Sequence, residues 1–279
     1  MILGLDHTGL AVRDLDAARK RFTALGFRLT PRETLTRPGP DGKPVSTGAE
    51  NHVFMLDRGY QEIITITDPA AGHPLVPRVQ RYWGLHNVLI VTDDADADRR
   101  AVAGRGVETT PCATWARVVP GRGEASFRFF AVAERETPEC FLGFVQHLTP
   151  ELLRSPELLA HENGAEAILG CTLNVVDMAE AAARYGRIFG RPFAPVKGSR
   201  EIAFGNGTYL RLSDRAALQS DYPGSVVPDA PSMAAAEFAL ARLDVLEAGG
   251  VTLRRDGGKQ WLDPSDAFGA IISLRSSAA

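Results

Sequence analysis

The sequence predicts an α+β protein made of four β-α-β-β-β units, grouped as two domains of two units each. Two observations carry this prediction. The stretch Leu5-Asp6-His7-Thr8-Gly9-Leu10-Ala11-Val12-Arg13-Asp14 returns about eighty residues later as Gly84-Leu85-His86-Asn87-Val88-Leu89-Ile90-Val91-Thr92-Asp93. Gly59-Tyr60-Gln61-Glu62-Ile63-Ile64-Thr65 returns as Gly143-Phe144-Val145-Gln146-His147-Leu148-Thr149. Repetition at a fixed spacing marks a repeated supersecondary unit, and it outweighs any single strand assignment.

In the first unit, Gly9 to Val12 reads as a strand, and Asp14 caps a helix whose Leu15, Ala18, Phe22 and Leu25 recur at helical spacing. Gly26 ends that helix, and Phe27 to Thr30 is the expected second strand. A Pro- and Gly-rich stretch from Arg32 to Glu50 reads as a loop that covers a site. His52 to Leu56 and Tyr60 to Thr67 then form a hairpin. The second unit repeats this order, with strand Asn87–Val91, a helix from Asp93 to Ala103, strand Val107–Thr110, and Ser126–Val132 paired with Cys140–Leu148. A third copy opens near Ile168, with a helix up to Gly190 and strands Ile202–Phe204 and Thr208–Leu212. The fourth is shortened to Glu237–Leu240, helix Leu243–Ala248, Val251–Leu253 and Phe268–Leu274. The expected domains run from 1 to 150, with units 1–67 and 83–149, and from 164 to 279, with Pro150 to Asn163 as connector.

Bulk properties narrow the function. The 279 residues are 44% hydrophobic and 23% charged, the balance of a globular chain. A net charge of −3 argues against nucleic acid or an acidic membrane surface as partner. No apolar run approaches the roughly 18 residues of a membrane span, and the start lacks a signal-peptide pattern, so a cytoplasmic protein is expected. Cys112, Cys140 and Cys171 form no C-x-x-C pair, which fits reduced thiols rather than a zinc–thiolate site. There is no G-x-G-x-x-G, P-loop, G-x-S-x-G or H-E-x-x-H motif. The expected partner is a small-molecule substrate, with the chain a monomer or homodimer.

The repeated positions are metal-ligand types: His7 falls on His86, and Glu62 on Gln146. Side chains alternate faces along a strand, so His7 points with Gly9 and Ala11, and Glu62 with Ile64 and Ile66. If the first and last strands of a unit are neighbours, His7 and Glu62 share one concavity and His86 and Gln146 enter from the opposite wall. Two imidazoles, a carboxylate and an amide oxygen suit Zn, Ni, Co, Mn or Fe better than Ca. A slip of one residue would turn His147 inward in place of Gln146. Asn51 and Arg128 are the expected substrate contacts, Arg128 as a grip for a carboxylate or phosphate. His52, His73 and His161 read as surface or structural, and Trp83 and Trp115 as candidates to line an entrance. In the third copy Gly170 replaces the histidine, and Leu210 or Arg211 stands where a carboxylate is expected, so the second domain reads as metal-free.

The chain resembles the vicinal oxygen chelate superfamily, and within it the four-module glyoxalase-like proteins. The resemblance rests on His7 with Ala11 through Ala18, the Gly59-Tyr60 and Glu62-Ile63-Ile64 strand, Gln146-His147 with Thr149-Pro150-Glu151, and Asp266-Ala267-Phe268-Gly269. It spans nearly the whole chain. It implies two glyoxalase/bleomycin-resistance-like domains with curved mixed sheets, and ligands on the first and last strands of paired modules. For an isomerising member it implies that Glu62 leaves the metal to act as base. The leading expectation is therefore a divalent-metal-dependent isomerase or lyase acting on a small α-oxygenated carbonyl compound. The alternatives are an Fe(II) extradiol-type dioxygenase built on His7, His86 and Glu62, and a non-catalytic small-molecule-binding protein of the bleomycin-resistance type.

Overall fold

The computed structural model describes residues 1–39, 43–119 and 121–277. The described strands form two eight-stranded mixed sheets. The first contains β1 (Ile2–Ala11), β2 (Glu33–Pro38), β3 (Pro44–Met55), β4 (Tyr60–Ile66), β5 (Gly84–Thr92), β6 (Ala113–Val119), β7 (Gly123–Ala131) and β8 (Phe141–His147), in the order β2-β3-β4-β1-β5-β8-β7-β6. The second contains β9 (Ala165–Asn174), β10 (Ala194–Val196), β11 (Ser199–Ala203), β12 (Tyr209–Ser213), β13 (Ser232–Leu240), β14 (Arg254–Asp256), β15 (Lys259–Leu262) and β16 (Ile271–Ser276), ordered the same way. First and last strands of each unit pair in parallel, and the two units of a sheet meet along antiparallel seams, β1 on β5 and β9 on β13. This is the expected α+β architecture.

Helices α1 (Leu15–Ala24), α3 (Ala95–Gly104) and α5 (Met178–Phe189) start alike. Asp14 accepts from the Ala17 amide, Asp94 from Ala97, and Asp177 from Ala179 and Glu180. The second cap is thus Asp94, one residue beyond the Asp93 expected. Gly26 and Gly106 both end their helices in left-handed backbone, at φ 82° and 78°. Shorter helices are α2 (Val76–Val79), α4 (Pro156–Leu159), α6 (Arg215–Asp221) and α7 (Leu243–Ala248).

The second strand of three units lies later than expected. Phe27, Val107 and Val251 are buried, but as plugs in the core immediately after a helix rather than as sheet partners. The Phe27 amide turns back to the Phe22 carbonyl at 3.0 Å, closing the helix end. Continuous pairing begins instead at Glu33, Ala113 and Arg254, although in the second unit Thr109 makes an isolated bridge to Val132 within the expected strand. The supposed covering loop from Arg32 to Glu50 is therefore mostly strand, with Glu33 opposite Asn51 and Pro38 opposite Pro44. Residues 40–42 of that stretch lie outside the described residues. The outer parts of β2 and β3 are exposed or half-buried on both faces, so they carry no period-two hydrophobic signal.

Buried apolar side chains on the helix-bearing faces of both sheets form one continuous core. Across it, Glu139 and Arg184 make an ion pair of 2.8 Å, with the two residues 2% and 7% exposed, and the Tyr185 hydroxyl donates to Glu139 at 2.9 Å. On the opposite, open face of the first sheet, Leu152, Leu153, Leu158 and Leu159 from the 150–163 segment pack on Val53, Met55, Tyr60 and Phe127. On the second sheet, Leu218 and Tyr222 cover Trp261, Ala235 and Ile271.

Candidate functional site

Two bulges on the β1–β5 seam decide which side chains enter the first cup. Leu5 pairs with Ile90 and His7 with Leu89, so Asp6 is an extra residue. Gly9 pairs with Asn87 and Leu10 with Leu85, so His86 is the other. A bulge re-aims the side chain it inserts. Asp6 thereby turns to join His7. Its carboxylate accepts from His7 Nδ1 at 2.7 Å and from His147 Nε2, on β8, at 2.9 Å. Because a carboxylate only accepts, each ring directs its N–H at Asp6. Burial alone pushes the Asp6 carboxyl up, but the two imidazoles outweigh it and hold the group well below the usual range. The His7 ring stacks on Tyr60 at 4.0 Å, and His147 stands edge-on to Phe127 at 5.4 Å. His147 Nδ1 is buried without a hydrogen-bond partner among the described residues.

Glu62 lies on the same face, opposite Gly9 in the β1–β4 pairing. Its half-buried carboxylate accepts from Asn51 Nδ2 at 2.6 Å and from Asn87 Nδ2 at 3.4 Å. The amide of Asn87 lies across Gly9, where a Cβ would come within 2.3 Å of it. Glycine is what opens the path from Asn87 to Glu62. Both carboxamides turn their NH2 to the carboxylate, and Asn51 Oδ1 and Asn87 Oδ1 remain buried and unpartnered.

The structure brings together His7, Glu62 and Asn51, but not the rest of the expected set. The capped helices repeat at an offset of eighty, Asp14 to Asp94 and Gly26 to Gly106, not at the seventy-nine that matches His7 to His86. At that offset Asn87 is the counterpart of His7, and His86 the counterpart of Asp6. By strand register, Gly9 lies opposite Glu62 and Leu89 opposite Gly143, so the counterpart of Glu62 is Gly143. His86, 1% exposed, directs Nε2 to the Tyr82 carbonyl at 2.9 Å and packs on the Tyr82 ring. Burial lowers its pKa to about 4. Gln146 faces the helices instead of the cup. Its Oε1 accepts from the Ala95 amide at 3.1 Å and its Nε2 donates to the Asp93 carbonyl at 2.8 Å, tying down the start of α3. His147 is the residue that turns inward. Arg128, opposite Gln146 in the β7–β8 ladder, also faces α3, where it holds Asp96 at 2.8 and 2.9 Å. It grips a helix of its own chain, so the substrate role expected for it is corrected.

Among the remaining expected residues, His52 is buried and bonded to the Thr30 carbonyl at 2.8 Å. His73 bonds the Leu75 amide at 3.2 Å, and His161 the Met55 carbonyl at 2.6 Å. Arg13 lies over Trp83 at 5.0 Å. Trp115 pairs with Phe127 across β6 and β7, which puts it on the cup face. Sequence reasoning missed Asp6 and Asn87. Both lie beside the histidines it chose, yet nothing in residue spacing reveals a bulge.

The second cup is built differently. Gly170 pairs with Tyr209 as His7 does with Tyr60, and Thr172 pairs with Arg211 as Gly9 does with Glu62. Arg211 therefore replaces the carboxylate. It bonds Glu201 at 2.7 and 3.0 Å and lies over the Tyr209 ring. The Tyr209 hydroxyl donates to Glu237 at 2.8 Å, and Arg275 pairs with the same carboxylate at 2.9 Å.

The family implies a divalent ion in such a cup, and the donors present do not fit one. The second unit offers Asn87 and Gly143 at the ligand positions, His86 and Gln146 use polar atoms on the backbone, and Asp6 is occupied by two imidazoles. Among the described residues no group of three His, Cys, Asp or Glu side chains is arranged to hold a metal. No described helix is long and apolar enough to cross a membrane.

The two mixed sheets of paired β-α-β-β-β units define an open-cup α+β protein. Residues 5–189 match the family profile described as a glyoxalase-like domain, and the chain belongs to that family. No curated protein matches it. Among solved structures it is similar to a hypothetical protein from Staphylococcus aureus, with 13% identity and a TM-score of 0.67, covering 99% of this chain and 100% of that one. It is also similar to a mutant of 4-hydroxymandelate synthase from Streptomyces coelicolor, with 12% identity and a TM-score of 0.61, covering 100% of this chain and 94% of that one. At such identities these likenesses establish the fold alone.

Proposed function

We propose that the first cup binds a small α-oxygenated carbonyl compound and moves a proton on it, as an isomerase or lyase of glyoxalase type with Glu62 as the base. The observation that carries this reading is the setting of Glu62. Its carboxylate is half-buried, is oriented by two neutral carboxamides, and bonds to no cationic side chain among the described residues. Asp6 is the opposite case, neutralised by two imidazoles and unsuited to take a proton. A carboxylate held by neutral donors on an inward-facing surface is within the repertoire of general bases. His7, held through Nδ1 by Asp6, is left with Nε2 to exchange a proton with the substrate oxygen. Since the expected ligand set is not assembled, no step is assigned to a metal. The dioxygenase alternative, which needs His86 beside His7, is set aside for the same reason.

The test is proton exchange. Small α-hydroxy aldehydes and ketones are incubated with protein in deuterated buffer, and loss of the C–H signal beside the carbonyl is followed by NMR. Exchange by the native chain, reduced about a hundredfold in Glu62→Gln, supports the reading. Absence of exchange across the panel overturns it and leaves a binding protein, a role that the leucines packed over the cup favour. Elemental analysis is run alongside. A stoichiometric metal lost from both His7→Ala and Glu62→Gln would overturn the conclusion that the donors do not fit an ion.

A further inference from the structure

We infer that the ligand of the first cup carries a positively charged, donor-rich nitrogen, a primary ammonium or an amidinium, seated against Glu62, Asn51 and Asn87. This names the ligand class for the cup proposed above and rests on that cup being a ligand site. It does not rest on the proton transfer.

The argument is a census of unmet hydrogen-bonding capacity. Asn51 and Asn87 are 3% and 6% exposed, and each has its amide orientation set by Glu62, since a carboxylate accepts and only the NH2 donates. Both Oδ1 atoms are therefore acceptors, buried, and without a partner among the described residues. Leaving such a group unsatisfied costs about 1–3 kcal/mol, so each calls for a donor.

Charge points the same way. Asp6 has its two imidazoles, but Glu62 also faces the cup and, among the described residues, its carboxylate accepts hydrogen bonds only from neutral amides. Arg117 pairs with Glu33 and Arg154 donates to the Leu56 carbonyl at 3.1 Å, and both act on the Tyr60 side of the cup rather than bonding to Glu62. An anionic ligand group placed against Glu62, Asn51 and Asn87 would meet a carboxylate and two amide lone pairs, with like-charge repulsion. A group with several N–H bonds and a positive charge meets both needs at once.

The experiment titrates the full chain with methylammonium, tetramethylammonium and acetate at matched ionic strength, reading the side-chain amide signals of Asn51 and Asn87 by NMR. Methylammonium is expected to shift both pairs of signals. Tetramethylammonium has the charge but no N–H and is expected to bind about tenfold more weakly, and acetate to have no effect. Glu62→Gln, with an otherwise native spectrum, is expected to weaken methylammonium about tenfold. If Glu62→Gln does not fold, Asn87→Ala serves instead and is expected to weaken methylammonium several-fold by removing one of the two acceptors. Acetate shifting these signals, tetramethylammonium matching methylammonium, or no response to any amine would each overturn the inference. Ammonium binding without deuterium exchange would remove the proposed reaction and leave the ligand class standing.

Discussion

His7 and Gly170 occupy the same place on the inner strands of the two sheets, and what stands next to each separates the two cups. In the first, the imidazole is stacked on Tyr60 and tied to Asp6, and Glu62 lies open between two amides. In the second, the Tyr209 ring fills the space the imidazole would need, within 2.5 Å of where a Cβ on Gly170 would lie, and Arg211 stands in for Glu62. The second cup closes its charges on one another: Arg211 with Glu201, and Glu237 with both Arg275 and Tyr209. The first leaves buried acceptors unmet. Asn174 Oδ1, on the cup face of β9, is likewise unpartnered among the described residues, so what separates the two cups is how their charges are paired, a matter of a handful of inward-facing side chains rather than of topology.

The sharpest way to break this comparison is to give the second cup the residue of the first. Gly170→His forces a ring into Tyr209 and is expected to cost about 3 kcal/mol, read from urea unfolding. A near-neutral result would mean that Tyr209 can move aside and that the second cup is not closed. Second in size is the acid sensitivity set by His86. Burial lowers its pKa from 6.5 to about 4, so the unfolded chain binds the extra proton between those values and stability falls as the solution is acidified through that window. The contribution is about 3 kcal/mol at full development. His73 shifts in the same direction for the same reason. The expected outcome is therefore a shallower loss in His86→Asn than in the native chain, measured by unfolding at several pH values, and parallel curves would refute it.

Asp6→Asn removes the charge shared by two imidazoles and is expected to cost about 2 kcal/mol near neutrality. The native carboxyl is held below its ordinary 3.8, so its contribution is present above that pH and fades as the pH drops further. The cost of the substitution should shrink accordingly under acid conditions. The smallest effect is expected for Tyr209→Phe, about 1 kcal/mol, because Glu237 keeps Arg275 when the phenol is lost. A loss as large as that of Asp6→Asn would show the second cup to be as finely balanced as the first.

Much of the fold was legible because its signals are redundant. Each of three helices begins at an aspartate that its own backbone amides use, and the seams repeat the same apolar run. The outer strands were not legible. Thr34, Thr36 and Val45 face solvent or are only partly covered, while Phe27 and Val107 look like strand residues because they fill the core beneath a helix. In the site, the common facing of His7 and Glu62 was legible from alternation along a strand, whereas Asn51, expected just before its strand, lies within β3. His86, Gln146 and Arg128 were not legible, because facing depends on counting residues across a bulge. A single extra residue in β5 sends His86 to the Tyr82 carbonyl and admits Asn87, and an identity match cannot tell the two apart.

The Glu139–Arg184 contact bears on how this protein can be taken apart. Each partner comes from a different sheet, and both are shielded from water. Separating the two sheets would expose to water the apolar core that they share, along with this pair. The first cup is therefore expected to be obtained in folded form only together with the second sheet, whose side chains complete its core.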